Sequence, residues 1–113
     1  MAYIPDRGHI VWLSFSPQAG HEQAGRRPAL VLSPQSYNGK VGLMLACPIT
    51  NKVKGYPFEV ALPKDLPVTG SILADQARSL DWHQRKAEFL CSIPASILAD
   101  ALGKLISLLA SEY

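Results

Sequence analysis

The sequence predicts a mainly β domain of the α+β class: a small antiparallel sheet with one C-terminal amphipathic helix. Three observations carry that prediction. Between residues 9 and 93 the apolar residues fall in short runs rich in β-branched and aromatic side chains, cut by glycine, proline and polar segments. From Pro94 onward the apolar spacing changes to that of a helix. The chain has 113 residues, 48% hydrophobic and 18% charged, enough for one core but not two and too apolar for disorder, so residues 1–113 read as a single domain.

In chain order, "HIVWLSF" (9 to 15) and "ALVLS" (29 to 33) read as strands joined by a long hairpin loop. "SPQSYNG" (33 to 39) follows; Ser33 can cap, Pro34 suits a first helical position and Asn38-Gly39 ends the turn, so one short helical turn is expected. A strand at 41 to 49 leads into the polar connection "TNKVKGYP" (50 to 57). "FEVAL" (58 to 62) alternates as a half-buried strand does, and "PKDLPVTG" breaks the chain because prolines lack ladder donors and Gly70 permits a tight turn. Residues 71 to 82 and 87 to 93 read as the last strands. In the final helix Ile97, Leu98, Ala101, Leu102, Leu105, Ile106, Leu108 and Leu109 form a wide apolar stripe. Such a stripe packs on its own sheet or serves a second copy or partner. Trp12 and Trp82 fall in strand patterns and are expected in the core.

The net charge of +2 is too mild for an overwhelming basic field, but its distribution is uneven. Up to Tyr56, Arg7, Arg26, Arg27, Lys40, Lys52 and Lys54 face only Asp6 and Glu22; the remainder of the chain is net acidic. A polyanion would meet the first half. Cys47 and Cys91 lie far apart without a nearby histidine, and His9, His21 and His83 are scattered, so neither a metal site nor a disulfide framework is expected. No apolar stretch approaches a membrane span, which points to a soluble cytoplasmic chain.

The candidate chemistry lies in "GHEQAGRRP" (20 to 28), where Glu22, Arg26 and Arg27 share a broken segment with glycines and a proline. Polar groups on a loop between two strands can converge on a ligand. The same Glu and Arg can equally form a surface ion pair contributing about 0–1 kcal/mol. Thr50, where a strand runs out into a basic loop, either bonds locally to backbone or donates to a phosphate oxygen. Lys52 and Lys54, beside Tyr56 and Phe58, are either solvated or placed to hold phosphates while a ring stacks on a base. Glu, Arg, Thr and Asp suit RNA cleavage without a metal, because the substrate brings its own nucleophile, the 2′-hydroxyl.

"PDRGHIVWLSFSPQAGHEQAGRRPALVLSPQSYN", "CPIT", "KGYPFEV" and "LADQARSLDW", in this order, resemble the MazF/PemK toxins of bacterial toxin–antitoxin pairs over nearly the whole chain. The most specific block is Glu22, Gln23, Gly25, Arg27 and Pro28 followed by the strand. The resemblance implies a small SH3-like β-barrel or curved sheet, a homodimer, and metal-independent, sequence-specific endoribonuclease cleavage of single-stranded mRNA, leaving a 2′,3′-cyclic phosphate and a 5′-hydroxyl. It implies no cofactor, and a cognate antitoxin that lays an acidic tail over the RNA groove.

By the same resemblance Arg27 is the arginine essential for cleavage, Thr50 the hydroxyl beside it, and Glu22 the loop glutamate. Asp75 matches an aspartate proposed as general base in the PemK branch, and His21 an active-site histidine of that branch. Gln23, Arg26, Lys52, Lys54, Tyr56 and Gln76 are the expected RNA-binding set. That branch carries an arginine acting as general acid two residues before the aspartate. Here Leu73 stands there, so either Arg27 takes over the role, as in the MazF branch, or Asp75 is structural. Two other functions stay open: a non-enzymatic toxin of this fold that poisons a protein such as DNA gyrase, and an inactive paralogue that sequesters antitoxin.

Overall fold

The computed structural model describes residues 2–14 and 25–110. Among the described residues seven strands form one antiparallel sheet: β1 (His9–Ser14), β2 (Arg26–Val31), β3 (Met44–Thr50), β4 (Glu59–Ala61), β5 (Ser71–Leu73), β6 (Arg78–Leu80) and β7 (Glu88–Ser92). Helix α1 (Gln35–Val41) joins β2 to β3, and α2 (Ala95–Ala110) ends the described chain. The strand order is β4-β5-β3-β2-β1-β7, with β6 also paired to β3.

The strands at the centre are buried on both faces, which explains why their sequences read as apolar runs rather than clean alternations. One face gathers Ile10, Leu30, Cys47, Ile49, Val60 and Ile72 under Ile97, Leu98, Ala101, Leu102 and Leu105 of α2. The other gathers Val11, Leu13, Ala29, Val31, Met44, Ala46 and Leu80, with Tyr3, Trp82 and Ala87 packed against them. The period of two along each strand sorts neighbours such as Ile10 and Val11 into opposite layers. Cys47 is buried, Cys91 is half-buried, and both are free thiols.

Several elements differ from the sequence-based expectation. Residues 71 to 82 are not one strand: β5 pairs with the end of β3 (Ile49 to Ile72), a 3₁₀ turn at Ala74–Gln76 leaves the ladder, and β6 rejoins β3 further along (Ala46 to Arg78). The two registers differ by three residues, the length of that turn, in which Ala74 is buried while Asp75 and Gln76 are exposed. Helix α1 runs past Asn38-Gly39 and stops at Gly42, whose φ of 84° is the left-handed cap conformation. Asn38 is fully buried instead of ending a turn: its side-chain amide donates to the carbonyls of Pro5 (2.8 Å) and Ser33 (3.0 Å) and accepts from the Ser33 hydroxyl (2.6 Å). Pro34 is the N-cap residue, and the Asp6 carboxylate, not Ser33, receives the Gln35 N–H (2.9 Å). In α2 the stripe splits, with Ile106 59% and Leu109 75% exposed while Ile97, Leu98, Ala101, Leu102 and Leu105 face the sheet.

Candidate active site

β2 opens on Arg26 and Arg27, and β3 closes on Thr50. Ala29 pairs with Pro48 and Leu30 with Cys47; the same register carried two residues further sets Arg27 across from Thr50. Both residues line one open groove of about 540 Å³, together with Trp12, Arg26, Pro28 and Lys52. Arg27 is exposed; its backbone pairs with Leu13 of β1, while its guanidinium forms no hydrogen bond or ion pair with any described residue. The Thr50 hydroxyl accepts the Lys52 N–H at 3.0 Å, which turns the chain out of β3; the hydroxyl hydrogen stays available for a second bond. So the local bond expected of a strand-end threonine is present without using up the group's donor.

Arg26 differs from its neighbour. Its guanidinium donates to the carbonyls of Lys86 (3.0 Å) and Trp12 (3.4 Å), to the Ser14 hydroxyl (3.3 Å) and to Glu88 Oε1 (3.1 Å), tying β2 to β1 and β7. Glu88 is 71% exposed, so the ion pair adds little by itself; the backbone carbonyls fix the side chain.

Thr50 and Lys52 also line a smaller recess of about 180 Å³, completed by Lys54, Tyr56, Glu59, Leu73 and Gln76. The Tyr56 hydroxyl donates to Asp75 Oδ1 at 2.6 Å. That bond, with some burial and the negative charges of Asp75 and Glu59, pushes the phenol up to about 12, against a smaller lowering by a hydrogen bond with Gln76. Glu59 accepts the backbone N–H groups of Lys54 (2.9 Å) and Gly55 (2.8 Å). Leu73 faces this recess where the PemK branch carries its arginine, so that wall is apolar here.

Among the expected site residues, Arg26, Arg27, Thr50 and Lys52 meet on the groove, while Lys54, Tyr56 and Gln76 meet on the adjoining recess and Asp75 touches Tyr56. His21, Glu22 and Gln23 lie outside the described residues. Two participants were missed from sequence. Trp12 is half-buried and lines the groove instead of filling the core, because β1 sets it opposite Pro28, at the sheet end that carries the two arginines. Trp82 is also only half-buried: it packs against the second core layer and donates its indole N–H to the Asn38 carbonyl at 3.0 Å. The second missed participant is Glu59, whose alternating strand gave no signal of a partner four and five residues back. Among the described residues no three His, Cys, Asp or Glu side chains converge as a metal-ligand set.

A model of the PemK-like, MazF-like toxins of type II toxin–antitoxin systems matches residues 6–109. The chain belongs to this family. It is 51% identical over 85 residues to the endoribonuclease toxin MazF of Escherichia coli K12, covering 75% of this chain and 76% of that one. The endoribonuclease PemK of Escherichia coli is 34% identical over 108 residues, covering 92% of this chain and 81% of that one, so the chain stands nearer the MazF branch. The crystal structure of MazF from Deinococcus radiodurans superposes with a TM-score of 0.87 at 64% identity, covering 97% of this chain and all of that one. A MazE–MazF complex from the same organism gives 0.88 at 57% identity over 98% of this chain. The MazF/PemK fold, a curved antiparallel sheet with a C-terminal helix, is the architecture described above.

Proposed function

We propose that this endoribonuclease toxin cuts single-stranded mRNA at defined sequences, without a metal, by turning the substrate's 2′-hydroxyl on its own phosphodiester. The observation that carries the reading is the convergence of Arg27 and Thr50 on one groove long enough to continue into the Lys54–Tyr56 recess. A new bond forms between the 2′-oxygen and phosphorus while the bond to the 5′-oxygen breaks. Glu22 takes the 2′-hydroxyl proton. Arg27 neutralises the crowded phosphorane and supplies the proton to the departing 5′-oxygen, and Thr50 donates to a non-bridging oxygen. The products are a 2′,3′-cyclic phosphate and a 5′-hydroxyl. His21 and Gln23 act beside Glu22, while Arg26, Lys52, Lys54, Tyr56 and Gln76 hold the flanking nucleotides through phosphate contacts and base stacking.

The antitoxin reading follows from the same charges. A cognate antitoxin with an extended acidic tail would occupy the groove that Arg26, Arg27 and Lys52 make cationic. MazE–MazF complexes of a relative 57% identical support that partner. The exposed Ile106 and Leu109 on α2 favour a homodimer, since a second copy would cover apolar surface the sheet leaves open. No helix among the described residues is long and apolar enough to cross a membrane; we place the toxin in the cytoplasm, where its substrate is.

The test is a cleavage assay on a long single-stranded transcript in EDTA. Arg27→Ala lowers kcat by roughly 10²- to 10³-fold if its guanidinium stabilises the phosphorane. An unchanged rate would remove Arg27 from the reaction, and a wild-type chain that cuts nothing would remove the activity.

A further inference from the structure

A carboxylate in the wall of a groove meant for a polyanion works against binding unless it does something else there. One such carboxylate, Glu59, lines the recess beside Thr50, and a second, Asp75, is bonded to its Tyr56. Glu59 sits half-buried on β4, one oxygen receiving the Lys54 N–H and the other the Gly55 N–H, at 2.9 and 2.8 Å. The pairing of β4 with β5, Glu59 opposite Leu73, brings the 3₁₀ turn alongside, and the Phe58 carbonyl receives the Ala74 N–H at 3.1 Å. From that turn Asp75 receives the Tyr56 hydroxyl at 2.6 Å, while the Tyr56 carbonyl receives the Glu59 N–H at 3.1 Å. Residues 54 to 56 are therefore tied from three sides, through backbone donors, a backbone acceptor and a side-chain hydroxyl. Gly55, at φ 75°, supplies the left-handed conformation that lets two successive N–H groups point at one carboxylate.

We propose that Glu59 and Asp75 are positioning residues, which clamp the Lys54–Gly55–Tyr56 turn as a preformed wall of the RNA groove and carry no proton in the cleavage. The proposal rests on the ribonuclease reading above. Glu59 spends its charge on backbone donors, so Lys52 and Lys54 keep theirs for phosphates, and the Tyr56 ring is held by its hydroxyl at a fixed place in the recess. Asp75 acts through Tyr56, which separates it from the general-base role the PemK-branch resemblance implies.

The two explanations of Glu59 predict opposite signs. If it were only an unfavourable charge, Glu59→Gln would tighten RNA binding. As a clamp, the glutamine places an amide donor against a backbone donor, the turn loosens, and KM for a defined single-stranded RNA rises about tenfold with kcat changed far less. For Asp75 the comparison is Asp75→Ala with Asp75→Asn. The asparagine keeps an oxygen for the Tyr56 hydroxyl but cannot serve as a base, so it recovers most of the cleavage that alanine loses. Wild type and Arg27→Ala run alongside. Wild type cutting and Arg27→Ala failing would leave the ribonuclease reading standing; a lowered KM in Glu59→Gln, or Asp75→Asn as inactive as Asp75→Ala, would then overturn this proposal alone. If Glu59→Gln does not fold, as judged by its thermal melt, Tyr56→Phe cuts the other tie and must raise KM in the same direction. An unchanged KM there contradicts the clamp.

Discussion

Two consecutive arginines at the start of β2 show how much a single position decides. Arg26 is bonded through its guanidinium to two backbone carbonyls, a hydroxyl and Glu88, whereas the Arg27 guanidinium bonds to none of the described residues and lines the groove. Sequence could place both on one loop, but not tell which guanidinium is tied to other strands, because that depends on Lys86 and Glu88, some sixty residues away. Two phenols carry a pH dependence at the same scale. Burial, reinforced by Asp6, pushes Tyr3 up to about 12, and the bond to Asp75 does the same to Tyr56. Unfolded, both ionise near pH 10, so between about 10 and 12 the unfolded chain has released protons that the folded one still holds. Their stabilisation is whole below pH 10 and declines as pH rises towards 12. Melting temperature measured from neutral to alkaline pH falls over that interval in wild type, and Tyr3→Phe with Tyr56→Phe flattens the decline; an equally steep fall in the double variant would contradict the assignment.

The element that most directly frames the site is the end of β3. Gly70 precedes β5 at φ 118°, and a Cβ built there runs into the backbone carbonyl of Thr50. Gly70→Ala is expected to cost about 2–4 kcal/mol in unfolding free energy, measured by urea titration, because the strained φ and a backbone clash add. It also displaces Thr50, so cleavage falls even under conditions where the variant is folded. The strands around that point were legible, since β-branched runs and proline breaks mark them wherever one register suffices. The split of residues 71 to 82 was not: β5 and β6 use the same edge of β3 in two registers, and a run of alternating residues does not announce that its partner changes by three positions. The α1 boundary failed for a related reason. Asn38-Gly39 has turn chemistry, but the buried Asn38 side chain is claimed by Pro5 and Ser33, and that tertiary demand overrides the local preference. The basic block and the E-Q-x-G-x-R-P element made the site recognisable; Glu59 was hidden because its role is read only from where two N–H groups point.

For the whole molecule, the even composition conceals an asymmetric surface. A net charge of +2 is spread so that Arg26, Arg27, Lys52 and Lys54 border one continuous groove and recess. Affinity for single-stranded RNA should fall with salt, by a slope of roughly −0.7 per phosphate neutralised, and Lys54→Ala should reduce that slope by about one contact. Filter binding of a non-cleavable RNA at several salt concentrations measures it; a slope unaltered by the substitution would take Lys54 off the phosphate path. The central claim is that the groove between Arg27 and Thr50 directs the substrate's 2′-oxygen onto phosphorus. The most direct test is to determine the ends left on a defined transcript cut in EDTA. Cyclic phosphate and 5′-hydroxyl ends at a few discrete sites are the predicted result; 3′-hydroxyl and 5′-phosphate ends, or cutting that stops when divalent ions are chelated, would contradict it.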